Sequence, residues 1–111
     1  MNQEIPEQEV ETLQSTLISS VANTIVIRAR KVFEEYISQS YDYKSCIFSL
    51  LNFENTLLDV KEICKTHNLS KEVVREIEYA RNKISILVYD AHKIDCEIRE
   101  AKKQILEGVK V

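Results

Sequence analysis

Residues 77–105 read IEYARNKISILVYDAHKIDCEIREAKKQI and repeat with a period of seven. Ile77, Ile84, Ala91, Ile98 and Ile105 mark the repeat, and Ala80, Leu87, Ile94 and Ala101 fill the alternate positions. No charged residue falls on this seam. Such spacing places one continuous apolar stripe on a helix, whereas a strand needs a period of two. Ser70 is a good N-cap and Gly108 a good stop, so the pattern predicts a helix over about 71–107.

The same reading extends toward the N-terminus. Asn68, in His67-Asn68-Leu69-Ser70, accepts the left-handed conformation that ends a helix. Before it, Tyr43, Leu50, Leu57 and Cys64 recur every seven residues, interleaved with Cys46, Phe53 and Val60, which predicts a helix over about 42–67. Ser38-Gln39-Ser40-Tyr41-Asp42 is a polar break. Before that, Ala22, Ala29 and Tyr36 alternate with Ile18, Ile25 and Val32, and Pro6 suits a first helical turn, so a further helix is expected over about 7–38. Short connections make neighbours antiparallel. The expected architecture is all-α, an up-down-up three-helix bundle over 7–107, with an acidic arm at 1–6 and a tail at 108–111.

Composition agrees. The 111 residues include one Gly and one Pro, too few for the turns of most sheet folds and for any glycine-rich phosphate loop. A net charge of −3 is that of no bulk polyanion binder. No apolar run is long enough to span a membrane, and the N-terminus has no secretory h-region. Three cysteines in a chain read as unexported imply reduced thiols and a cytoplasmic setting. Residues 1–20 hold four acids and no base, an arm suited to a basic partner.

One seam per helix suffices for a lone bundle, and this chain has more. Ile25-Val26-Ile27, Ile47-Phe48, Leu50-Leu51 and Leu57-Leu58 are continuous, and 84–89 is nearly so. Folded at residues 40 and 69, these stretches come to similar heights and form an apolar belt. The belt predicts a contact surface, chiefly Ile25, Ile27, Phe48, Leu51, Leu58, Ile86 and Val88, for a second copy (as a homodimer) or a partner helix. The expected function is that of a non-enzymatic assembly or adaptor subunit, without cofactor, metal or small-molecule substrate.

Chemistry-bearing residues are few. Cys64 and His67 share a helix face, as do His92 and Cys96. With a turn near 69, the two pairs lie on the order of 27 Å apart along the hairpin. A cluster of Cys46, His92 and Cys96 is level, but Cys46 is on the core seam and Cys96 faces outward, so ordinary core cysteines are the expectation. Carboxylates and lysines such as Glu97, Arg99, Glu100, Lys102 and Lys103 pattern as a solvated face. The rival reading is a helix-turn-helix over 60–77, in a dimeric DNA-binding regulator. Cys64 stands four before Asn68, and Val74 and Ile77 anchor inward. Lys71, Arg75 and Tyr79 face a groove, with Lys61 and Lys65 near phosphates. Glu72, Glu76 and Glu78 place negative charge on that same surface.

Overall fold

The computed structural model describes residues 7–109, with side chains from residue 13 onward. Three helices make up the fold: α1 (Glu7–Ile37), α2 (Tyr43–Thr66) and α3 (Lys71–Val109). The expected arm at 1–6 lies outside the described residues.

Cross-helix contacts fix the directions. The Tyr43 hydroxyl and His92 Nδ1 are hydrogen-bonded at 2.9 Å, Arg81 Nε lies 3.6 Å from Glu54, and Lys61 is paired with Glu78. Residue number rises along α3 as it falls along α2, so the two are antiparallel throughout. Ser19 of α1 donates to Glu76 near the start of α3. Tyr36, near the end of α1, sits 6.0 Å from the Tyr43 ring, which itself meets His92. Helices α1 and α3 are therefore parallel, and the bundle runs up, down, up.

Both turns are built the same way. After α1, Gln39 takes φ 67°, Ser40 N–H donates to Glu35 O at 2.8 Å and Gln39 N–H to Tyr36 O at 3.0 Å. After α2, Asn68 takes φ 55°, Leu69 N–H donates to Cys64 O at 2.9 Å and Asn68 N–H to Lys65 O at 3.2 Å. This pairing satisfies carbonyls that a helix end leaves orphaned. Each following helix is then capped. Asp42 accepts from Ser45 N–H at 2.7 Å, which holds its carboxyl below the ordinary 3.8, and Ser70 Oγ accepts from Val73 N–H at 3.4 Å.

The core follows the three seams. Cys46, Leu50, Leu57 and Cys64 of α2 are fully buried, as are Ile77, Ile84 and Ala91 of α3 and Ala29 of α1. Ala22, Tyr36 and Ala80 are nearly so, and Ile18, Val32, Tyr43, Phe53, Val60, Leu87 and Ile94 pack partly buried around them. Ala22, Ala29, Ala80 and Ala91 let the helices approach closely where larger residues would hold them apart.

Two expectations need correction. Helix α3 does not stop at Gly108; it runs through that glycine to Val109, so the expected tail begins inside the helix. The third seam also outlasts its partners. Helix α2 has 24 residues and α3 has 39, lengths of about 36 and 58 Å. Every residue from Cys96 to Val109 is exposed, including the seam residues Ile98, Ala101 and Ile105. The molecule is a rod of 86 × 21 × 15 Å. Its radius of gyration is 20.1 Å, against about 13 Å for a compact domain of this length.

Three substitutions test this packing by chemical denaturation. Leu57→Ala should cost about 2–5 kcal/mol, as a fully buried leucine does. Leu51→Ala, one helical step outside the core, should cost under about 0.5 kcal/mol beyond its lost partial burial. Asn68→Ala should cost about 1 kcal/mol through its left-handed backbone, and Asn68→Gly should not.

Candidate functional site

The belt predicted from sequence has one height and several faces. With Tyr43 opposite His92 and Glu54 opposite Arg81, Phe48 lies level with Leu87, between Ile86 and Val88, and Leu51 lies level with Ile84, about 3 Å from the height of Ile86. The Ser19–Glu76 contact sets Ile27 of α1 at that same height. Ile27, Phe48 and Ile86 are 66%, 69% and 59% exposed. Each stands two residues from a fully buried one, Ala29, Leu50 or Ile84, and so lies about 160° round its helix from the core. Three helices around one core thus point these side chains in three different directions.

The remaining belt residues divide. Leu51 is exposed, and Leu58 and Val88 are half-buried, Val88 against the core. Ile25 is a correction: it is 8% exposed and belongs to the core with Val26. In a run of three apolar residues each is turned about 100° from the last, so a stripe admits two and turns the third outward. In Ile25-Val26-Ile27 the third is Ile27.

Two apolar areas escaped the sequence reading. Leu13, Leu17 and Val21 of α1 and Ile63 of α2 are exposed near the α2–α3 turn. Leu17, Ile18, Ile63 and Leu69 line an apolar groove of about 270 Å³ there. At the opposite end Ile98 is exposed beside the α1–α2 turn, and Ile105, Leu106 and Val109 are exposed on the unpartnered end of α3. The first had a signal, the four-residue spacing of 13, 17 and 21. The second had one in the unequal helix lengths.

The residues of the helix-turn-helix reading lie around the α2–α3 turn. Lys65, Lys71, Arg75 and Tyr79 are exposed, with the Lys83 ammonium 4.5 Å over the Tyr79 ring. Lys61 is half-buried in its pair with Glu78, whose carboxyl it holds below the ordinary range. The helices on either side of the turn lie side by side along the whole of α2, whereas a helix-turn-helix crosses its two helices at about 90–120°.

Cys46, His92 and Cys96 do not converge on one centre. Cys46 is fully buried, and Cys96 is exposed with its sulfur 3.6 Å from His92 Nε2. The other ring nitrogen of His92 is bonded to Tyr43. Among the described residues no group of three or more His, Cys, Asp or Glu is placed to hold a metal ion. Also among them, no helix is long and apolar enough to cross a membrane. Burial pushes the Cys46 and Cys64 thiols up, away from the reactive thiolate.

Thiol labelling tests this arrangement. A water-soluble disulfide reagent at mildly alkaline pH should modify Cys96 rapidly and leave Cys46 and Cys64 intact until the chain is unfolded. Rapid reaction of more than one thiol in the native protein would contradict the burial. No family model, curated protein or solved structure matches this chain.

Proposed function

We propose that this chain is a non-enzymatic protein–protein interaction module, an assembly or adaptor subunit of a reducing, cytoplasmic compartment. It works by burying apolar surface against other proteins or copies of itself. One observation carries the reading: at a single height, all three helices turn a large apolar side chain away from the core. Full burial of each contributes about 1.5–3 kcal/mol, so a few of them support a specific interface. Because Ile27, Phe48 and Ile86 face three ways, a single two-fold homodimer contact covers only one of them. The arrangement favours a subunit with more than one neighbour.

The DNA-binding reading retains Lys65, Lys71, Arg75 and Tyr79. It loses Lys61 to an ion pair and must place Glu72 and Glu76 beside phosphates, which repel them. Contact with protein is the better supported function.

A photo-crosslinking amino acid at Phe48, and separately at Ile86, tests the proposal in the source cell. Both positions should yield discrete protein adducts. Leu51→Glu with Ile86→Glu should abolish the Phe48 adduct while leaving the helical signal intact, because both residues are exposed. Absence of adducts from both positions would remove the belt as a contact surface. Unfolding of the double variant would place those residues in the core.

A further inference from the structure

The two ends of the rod carry apolar ladders with the same spacing. On α1, Leu13, Leu17 and Val21 stand four residues apart; on the unpartnered end of α3, so do Ala101, Ile105 and Val109. All six are exposed. In sequence each ladder begins three residues earlier, with Val10 and Ile98. Spacings of three, four and four keep each ladder on one face of its helix. Laid side by side in the same direction, the two match rung for rung, and Ala101 leaves room for Leu13.

The topology supplies that direction. Helix α1 begins at one end of the rod and α3, parallel to it, finishes at the other. A second copy stacked along the axis with the same polarity brings the start of its α1 alongside the end of the first copy's α3. The overhang from Ile98 to Val109 and the stretch from residue 10 to 21 each have 12 residues, about 18 Å of helix. Beside the α1 ladder, the groove lined by Leu17, Ile18, Ile63 and Leu69 widens the apolar floor for Leu106.

Charge fits the same pairing. Residues 1–20 hold four acids and no base, whereas 98–106 hold Arg99, Lys102 and Lys103 against the single acid Glu100.

We propose that this chain assembles head to tail with further copies of itself, the end of α3 of one copy packing on the α1 ladder of the next. The proposal rests on the reading that the chain acts by burying exposed apolar surface, but it uses the ends of the rod rather than the belt. The contact joins two different surfaces, so it is heterologous and adds copies until the ends close.

Full-length variants test it by light scattering coupled to size exclusion, over a range of concentrations. The wild-type mass should climb past two chains. Leu17→Glu and Ile105→Glu, at residues 65% and 66% exposed, should keep the helical signal. Each should stay at the mass of one chain, with association weakened on the order of 100-fold. Mixed in equal amounts, the two should form a species of two chains and nothing larger, because each retains the surface the other has lost. A wild type of one-chain mass at every concentration, a mixture that forms no pair, or assembly that persists in both variants would overturn the proposal. Leu51→Glu with Ile86→Glu should assemble as the wild type does. If that variant alone abolishes assembly, the belt is the self-contact and the head-to-tail proposal fails. If it assembles while the belt positions yield no crosslinks, the belt reading fails and this one stands.

Discussion

Everything in this bundle depends on the apolar stripe of α3 being covered by two helices at once. Ile77, Ile84 and Ala91 are fully buried, between Cys46, Leu50, Leu57 and Cys64 on one side and Ala22, Val26 and Ala29 on the other. Helix α3 makes the most extensive contact with its two neighbours and runs beyond them past the α1–α2 turn. The two turns matter because they fix the phase of that packing. A left-handed residue, a pair of backbone hydrogen bonds and a capping side chain at each turn set where α2 starts relative to α1, and α3 relative to α2. A slip by one residue at Asn68 rotates the α3 stripe by about 100° and exposes it.

Heptad spacing made the core legible in the sequence. The seams named Leu50, Leu57, Cys64, Ile77, Ile84 and Ala91 directly, and Asn68 announced its own turn. What the sequence concealed was the extent of the partners. Ile98 and Ile105 obey the same period as Ile77 and Ile84, since period reports only which face of a helix is apolar. Only the difference in length between α2 and α3 reveals that Ile98 reaches no further than the α1–α2 turn and that Ile105 lies beyond both neighbours. Ile25 stood in two readings at once: the α1 seam put it in the core, where it lies, and the belt put it outside, because a continuous apolar run shows that something must face outward without showing which member does.

The exposed surface has two kinds of apolar feature with different geometry. At mid-height, large side chains stand out on three sides, Ile27 on α1, Phe48 with Leu51 on α2 and Ile86 on α3. At the ends, several rungs in a row line one helix face. The first kind suits contacts from the side, and the second suits a contact along a helix. Within the bundle, titratable groups stay at the margins. Lys61–Glu78 and Arg81–Glu54 bridge α2 to α3 near the surface, where such pairs adjust register more than they add stability.

An odd number of helices puts the start of α1 and the end of α3 at opposite poles of an 86 Å rod. Tension applied at those two helix ends therefore runs along the helix axes. The seams are then loaded in shear, all rungs at once, instead of being peeled apart one after another. A bundle with an even number of helices, pulled at two termini on the same pole, unzips from the loaded end. A longitudinal pull on such a rod would be resisted by every seam together, and a head-to-tail chain of rods would load each copy in the same mode.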